Sequence, residues 1–119
     1  MKIKFHYGSE DDVLTIYTDI APTETIEFSE FLNIDIDNKT GIVGLEIFEA
    51  SAFFHQQDVK ITKEFLSSIK EIKVHYNEWR NMWFINLVLI DKDGNRIEPK
   101  LPPLKKSEYI SPLIGSLRN

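Results

Sequence analysis

Three carboxylates in the first half of the chain, Asp35, Asp37 and Glu46, are the residues best suited to chemistry. Carboxylate oxygens are the ligands that hard cations such as Mg²⁺ and Ca²⁺ prefer. A metal site built from them would support a metal-dependent hydrolase or phosphoryl-transfer enzyme, with His55 or His6 as general base. That chemistry requires one structural element to hold all three carboxylates on the same side.

A β-hairpin is predicted to do so. Alternating apolar residues, the signature of strands, flank Asn38-Lys39-Thr40-Gly41, where Asn starts a turn and Gly accepts positive φ. With those four residues as the loop, the predicted cross-strand pairs on the non-apolar face are Asp37 with Ile42, Asp35 with Gly44, Asn33 with Glu46, and Phe31 with Phe48. Directly opposed strand residues lie about 5 Å apart and diagonal ones about 7–8 Å, so a cation can be shared.

A solvated strand face on which Asp37 only initiates its turn is the favoured alternative, because binding sites are few per protein. The calcium-loop spacing fails, since Thr40 and Arg96 stand where its Gly is required. The three histidines lie on different predicted elements without metal-ligand spacing, and no serine lies in a nucleophile-elbow motif. No cofactor is predicted.

The remaining elements predict an α+β fold, a mostly antiparallel sheet built from consecutive hairpins with one helix and a short C-terminal helix. Strands are predicted at about 2–7, 13–18, 31–37, 42–48, 71–79, 82–91 and 95–98, with 25–30 ambiguous between edge strand and loop. The helix lies between about 58 and 70 and begins at Asp58 or Thr62. Asp93-Gly94 predicts a two-residue turn, and Ser111-Pro112 predicts a brief helix to Leu117.

Composition narrows the classes of function. The 119 residues predict one domain, 1–119, and the absence of cysteine excludes disulfides and thiolate chemistry. No apolar run is long enough to cross a bilayer, so a cytoplasmic protein without a membrane partner is expected. Fourteen Lys and Arg against 19 Asp and Glu give a net charge of −5, which argues against nucleic acid and favours a protein partner.

A resemblance covers about residues 3–52. The residues that carry it are Tyr7, Asp12-Val13-Leu14-Thr15-Ile16, Ile34-Asp35-Ile36-Asp37, Gly41-Ile42-Val43-Gly44-Leu45-Glu46-Ile47 and Glu49-Ala50-Ser51. This part resembles a short prokaryotic family catalogued as domain of unknown function twenty-two eighty-three. The chain departs from it at Gly8, where an acidic residue is usual, and at Thr15, where an aromatic residue is usual. The resemblance implies no catalytic residue or cofactor, and residues 53–119 form an extension outside it.

Aromatic residues supply the leading functional hypothesis. The chain contains more of them than one face of a small sheet is expected to bury. The residues predicted to form a contact surface are Phe31, Phe48, Phe53, Phe54 and Trp79. Trp83 is predicted to join Ile85 and Leu87 in the core. A non-enzymatic binding protein follows, forming a homodimer or contacting another protein. An antitoxin-like partner of a basic toxin is a further alternative, suggested by the resemblance.

Overall fold

The computed structural model describes residues 2–105, which form two antiparallel sheets and two short helices and confirm the predicted α+β class. The first sheet contains β1 (Lys4–Gly8), β2 (Val13–Tyr17), β3 (Glu24–Ser29), β4 (Leu32–Asp37) and β5 (Gly41–Ile47). Helices α1 (Ala50–His55) and α2 (Lys63–Ser67) follow. The second sheet contains β6 (Ile69–Trp79), β7 (Met82–Asp91), β8 (Arg96–Ile97) and β9 (Leu104–Lys105). None of the helices within 2–105 is both long enough and apolar enough to span a bilayer.

The first sheet has the strand order β1-β2-β5-β4-β3. Its apolar alternation works as predicted, because Leu14, Ile34 and Ile47 are fully buried on one face and join a single hydrophobic cluster with residues of the second sheet. Of the ambiguous segment at 25–30, residues 25–29 lie in the edge strand β3, where Ile26 faces Ile34, and residue 30 lies in the following turn. β5 is the central strand because it pairs with β4 on one side and with β2 on the other. The local sequence pattern does not specify its pairing with β2.

The central hairpin contains a β-bulge. Asp35 faces Gly44 as predicted, but Ile36 faces Ile42 because β5 carries one extra residue at this point. Asp37 therefore lies opposite Gly41, so the predicted pairing with Ile42 is wrong and the loop is one residue shorter. The bulge turns Ile42 toward the core beside Ile36, whereas a regular four-residue loop would have put Ile42 opposite Asp37 on the other face.

The second sheet is built on one long hairpin. β6 and β7 pair from Trp79 and Met82 to Ile69 and Asp91, and the turn residues Arg80 and Asn81 both have positive φ, as a two-residue hairpin turn requires. Trp83, Ile85 and Leu87 are buried, as predicted. The other edge of β7 pairs with β8, with β9 and with the connecting segment 99–101.

The turn after β7 differs from the prediction. The Asp91 N–H donates to the Asn95 carbonyl, so residues 92–94 form a three-residue loop rather than a two-residue turn at Asp93-Gly94. The Asp91 carboxylate accepts hydrogen bonds from the N–H groups of Asp93 and Asn95 and from the Asn95 side chain. These bonds favour the longer loop because they satisfy a carboxylate that is only 6% exposed.

The helix predicted between 58 and 70 is a single turn, α2. Of the two predicted starts, Thr62 is the cap, and its hydroxyl accepts the Phe65 N–H while Ile61 and Leu66 are both buried beside it. Asp58 does not start a longer helix because its side chain binds the Lys60 N–H in a turn. The helix predicted from Ser111 to Leu117 lies outside the described residues.

Candidate functional site

The outer face of the first sheet carries the predicted carboxylates. Glu46 lies opposite both Thr15 and Asn33, and Asp35 lies opposite Thr25, so the register brings Asp35 and Glu46 onto one face. Glu27, opposite Asn33, joins this face, and sequence reasoning did not single it out. The result is an acidic surface, which we call the acidic face and define by Glu27, Asp35 and Glu46.

Two of the three predicted metal ligands have structural partners. Asp37 binds the backbone N–H groups of Lys39 and Thr40 and the Thr40 hydroxyl, as a turn-initiating aspartate does. The Asp35 carboxylate accepts a 2.6 Å hydrogen bond from the Thr25 hydroxyl. Within residues 2–105, no three His, Asp or Glu side chains are grouped so as to hold a metal ion. The metal site stays a prediction, and calorimetric titration with Mg²⁺, using Glu46→Gln as control, tests it.

The two candidate general bases lie in different places. His6 faces Thr15 across β1 and β2, which puts it in the same cross-strand row as Glu46. His55 ends α1, and its Nδ1 lies 3.3 Å from the Ile61 carbonyl oxygen. His6 therefore shares the acidic face, and His55 belongs to a separate helix–turn contact.

A hydrogen-bonded cluster of Tyr7, Asp12 and Ser51 ties the β1–β2 turn to the start of α1. The Tyr7 hydroxyl donates to Asp12 Oδ1 at 2.6 Å, and Ser51 donates its hydroxyl at 2.7 Å and its backbone N–H at 3.0 Å to the same carboxylate. The Ala50 N–H also donates to the Asp12 carbonyl. Asp12 and Glu49 both adopt positive φ to make these bonds, and we call the three-residue cluster the clasp.

Burial alone would raise the pKa of Asp12, but the hydrogen bonds from Tyr7 and Ser51 outweigh it and hold the pKa below its ordinary value. Burial raises the pKa of Tyr7 strongly, and its bond to Asp12 adds to the rise. The clasp therefore holds Asp12 as a charged acceptor and Tyr7 as a neutral donor. All three residues belong to the motifs of the resemblance, but their pairing across 39 positions of sequence has no local signal.

The predicted aromatic surface divides into core and surface residues. Phe54 is fully buried, and Phe53 packs between it and Phe31 at ring-centroid distances of 5.3 and 6.2 Å. Phe54 is therefore a core residue, which corrects its assignment to a contact surface. Phe31, Phe48 and Phe53 are half-buried at the end of the first sheet, where the Phe48 N–H donates to the Phe31 carbonyl as the predicted pairing requires.

Trp79 is the member of the predicted set that is largely exposed, with 61% of its surface accessible. It ends β6, and the Arg80 guanidinium carbon lies 4.5 Å from the centroid of its ring, in cation–π contact. Because Trp79 faces Met82, it lies on the side of the second sheet that points away from the core-facing Trp83.

The surface around Trp79 is basic. Lys73, opposite Val88, and His75, opposite Asn86, lie on the same side of β6. Neighbouring strands add Arg96, Lys100 and Lys105, which face Ile90, Asn86 and Met82. The acidic residues of this side are Glu71, opposite Ile90, and Glu98, which is paired with Arg96 at 3.4 Å. We call this surface the basic face and define it by Trp79, Arg80, Lys73, Lys100 and Lys105.

An apolar groove lies between the two sheets beside β6. It has a volume of about 150 Å³ and is lined by Ile3, Tyr17, Ile42, Val43, Val74 and Tyr76, among others. Tyr17 and Tyr76 are 40% and 39% exposed, so its rim is aromatic and open to solvent. The Tyr76 hydroxyl lies over Gly41, where a Cβ atom would come within 2.7 Å of it.

Residues 4–51 match the model of a protein family described as "Protein of unknown function (DUF2283)". The first half of this chain is similar to that family. The matched stretch contains the first sheet, the acidic face and the whole clasp, and it ends before the basic face begins. The predicted resemblance over about residues 3–52 is thereby confirmed.

A second similarity is to an uncharacterised protein, MJ0789, of Methanocaldococcus jannaschii. The two are 33% identical over 67 residues, which is 56% of this chain and 57% of that protein. The match thus spans little more than half of the relative's length. Neither its name nor the family description states an activity or a partner. No solved structure matches this chain.

Proposed function

We propose that this protein is a non-enzymatic binding protein, and that its basic face contacts an acidic segment of another protein with Trp79 as the anchor. The observation that carries the proposal is the 61% exposure of Trp79 at the end of a fully paired hairpin. A Trp side chain that is mostly exposed buries little apolar area on folding, whereas Trp and Arg are the residues most often responsible for binding energy at protein interfaces.

Charge supports an acidic partner. Among the described residues, Lys73 and Lys100 have no carboxylate within ion-pair distance, so their charges are available to a partner. Arg80 is held over the Trp79 ring, which places a guanidinium beside the apolar anchor. An aromatic centre with cations around it favours a segment that combines an apolar side chain with nearby carboxylates. The net charge of −5 disfavours nucleic acid as the partner.

Three carboxylates, those of Asp12, Asp37 and Asp91, have structural partners. Asp12 is occupied by Tyr7 and Ser51, Asp37 by its own turn, and Asp91 by Asn95. Each carboxylate accepts hydrogen bonds that stabilise a turn or a junction between elements. This pattern is typical of a scaffold that presents a surface, and it supports a binding role over a hydrolytic one.

The test compares affinity capture by the wild-type chain, by Trp79→Ala and by Val59→Ala. Val59 is a matched control because it is 70% exposed and lies outside the basic face. We expect an acidic protein that the wild type and Val59→Ala retain, that Trp79→Ala releases, and whose binding weakens with added salt. Equal capture by Trp79→Ala, or capture insensitive to salt, would contradict the proposal.

The acidic face supports a second candidate, an antitoxin-like role toward a basic protein. Glu27 and Glu46 flank Asn33 in one cross-strand row, with Asp35 beside them. Lys4 lies at the opposite edge of the sheet and is already paired with Asp19 at 2.6 Å. For this candidate we expect capture of a basic protein that the double substitution Glu27→Gln and Glu46→Gln abolishes and Trp79→Ala leaves intact. Capture that Trp79→Ala abolishes and the double substitution leaves intact would exclude this candidate.

A further inference from the structure

The free edge of β6 can be assigned from the hydrogen bonds of its neighbour β7. Leu87 donates its N–H to the Pro99 carbonyl, and Ile85 accepts the Leu101 N–H, both at 3.0 Å. Leu87 and Ile85 therefore direct their backbone groups away from β6. In an antiparallel ladder, the residues that face such positions also direct theirs outward. Val74 faces Leu87 and Tyr76 faces Ile85, so their N–H and C=O groups point to the outer edge of β6.

That outer edge is long and is not paired within residues 2–105, where β6 pairs only with β7. An unpaired strand of 11 residues is a template for another strand. The side chains of Val74 and Tyr76 also line the apolar groove. A strand added to this edge would bind their backbone groups and place its own inward side chains over the groove.

We infer that the added strand is β6 of a second copy of this chain, paired antiparallel about a two-fold axis at Val74. This inference goes beyond the proposed function, since it rests on the edge and the groove and not on the basic face. A two-fold contact of this kind is self-complementary and closes as a dimer. In it Val74 pairs with Val74 of the second copy, and Ile72 pairs with Tyr76, so the apolar side chains of both copies cover the two grooves.

Charge distinguishes this axis from the two adjacent ones, at Lys73 and His75, which also keep the apolar side chains on one face. By residue count, an axis at Val74 places Lys70, the extra residue where the register of β6 shifts between Ile69 and Glu71, nearest to Glu78 of the second copy. The same axis places Lys73 opposite His75. An axis at Lys73 would put two lysines face to face, and an axis at His75 would put Lys70 opposite Arg80. Opposite charges across strands stabilise pairing and like charges directly opposed destabilise it, so the axis at Val74 is favoured over those at Lys73 and His75. An axis at Ile72 would put Tyr76 opposite Ser68, which lies outside β6, so it would pair fewer apolar side chains.

Light scattering on the full chain over the micromolar range tests the inference. The expected mass is twice the 13.9 kDa of one chain. Val74→Pro removes an N–H that points to the free edge and no bond to β7, so a folded monomer is expected. Val74→Thr keeps both the N–H and the shape of the side chain, and it should stay dimeric. A monomeric wild type, or a dimer that persists in folded Val74→Pro, overturns the inference.

Two further substitutions decide the register even if the proline variant fails to fold. Lys70→Glu puts like charges opposite each other twice, so the dimer should weaken roughly three- to thirty-fold. Tighter association would instead indicate the axis at His75 and overturn the one at Val74. Because the chain has no cysteine, Val74→Cys should form an intermolecular disulfide on mild oxidation, faster than Val59→Cys. Equal rates would contradict the axis.

The inferred dimer and the proposed acidic partner can be tested independently. Trp79→Ala leaves the β6 edge intact, so it should lose the partner and keep the dimeric mass. Lys70→Glu leaves the anchor intact, so it should weaken the dimer and keep the partner. A variant that loses both would show that the two surfaces are one, and it would overturn the inference of a separate edge contact.

Discussion

The two sheets of this protein use their polar and aromatic groups in opposite ways. In the first sheet, the clasp joins a turn to a helix, and Asp37 closes its own turn. In the second sheet, the long edge of β6 is unpaired within the described residues, and Trp79 is exposed at the end of the hairpin. In the first sheet these groups are hydrogen-bonded within the chain, while in the second sheet the strand edge and the Trp79 side chain face solvent.

This difference separates the part of the chain that resembles a family from the part that carries the proposed contacts. Residues 4–51 match the family and include the clasp, whereas the basic face and the β6 edge lie beyond them. Because the matched residues stabilise turns and junctions, we interpret the first sheet as a scaffold. The basic face and the β6 edge are then properties of the extension, and the following predictions examine this division.

The largest expected effect separates two aromatic residues that the sequence pattern grouped together. Phe54→Ala removes a fully buried side chain and should lower the free energy of unfolding by about 3–5 kcal/mol. Trp79→Ala removes an exposed one and should change it by no more than about 0.5 kcal/mol. Urea denaturation followed by circular dichroism measures both. A comparable loss in the two variants would mean that Trp79 is also structural.

The clasp should have the next largest effect. Asp12→Ala leaves the Tyr7 hydroxyl and the Ser51 N–H without their shared acceptor, and we expect a loss of about 2–3 kcal/mol. Ser51→Ala removes only one of the donors and should cost about 1 kcal/mol. The same denaturation assay applies. If Asp12→Ala is no worse than Ser51→Ala, the carboxylate does not hold the junction together.

Two glycines with positive φ provide a matched pair, Gly41 at the start of β5 and Gly94 in the loop after β7. Gly41→Ala forces a Cβ to within 2.7 Å of the Tyr76 hydroxyl, whereas Gly94→Ala meets no atom within 4 Å. Both substitutions incur backbone strain of about 1 kcal/mol, and Gly41→Ala should cost about 1 kcal/mol more. Tyr76→Phe removes the oxygen and should abolish that excess in a double-mutant cycle. Additive effects would show that the two residues are independent.

The smallest expected effect concerns pH. Hydrogen bonds lower the pKa of Asp91, chiefly the one from Asn95, and the pKa of Asp12 is lowered as well. A folded-state pKa below the unfolded one adds stability above about pH 4, and this stability is lost as the pH falls through the folded value. Asp12→Asn and Asp91→Asn should each flatten the loss of stability between about pH 5 and 2. If the loss of stability at acid pH is unchanged in both variants, the assigned hydrogen bonds are contradicted.

The sequence pattern was most successful where structure depends on neighbours along the chain. Alternation at Leu32-Ile34-Ile36 and at Ile72-Val74-Tyr76 predicted two hairpins that the structure contains, because side-chain period and turn chemistry are local properties. The Thr62 cap was one of two predicted helix starts for the same reason. The registers of Asp35 with Gly44 and of Asn33 with Glu46 also followed from the loop position.

Local patterns failed where the outcome depends on distant contacts. The bulge in β5 lets Ile42 pack against the core beside Ile36, and it changes the partner of Asp37 from Ile42 to Gly41, which the local pattern did not predict. Phe54 is buried because α1 packs onto the first sheet, which its neighbours in sequence do not reveal. The basic face was missed because Lys73 and Lys100 come from different strands that only the second sheet brings to one side.

Alternation of apolar and polar residues, together with Asn, Gly and Thr at the chain reversals, was sufficient to establish the hairpins and which side chains face inward. Only the tertiary structure decided which carboxylates are occupied, which aromatic residue is exposed and which strand edge is free. The physical reason is that strand direction and period are encoded within a few residues, whereas burial and hydrogen-bond partners are shared among segments far apart in sequence.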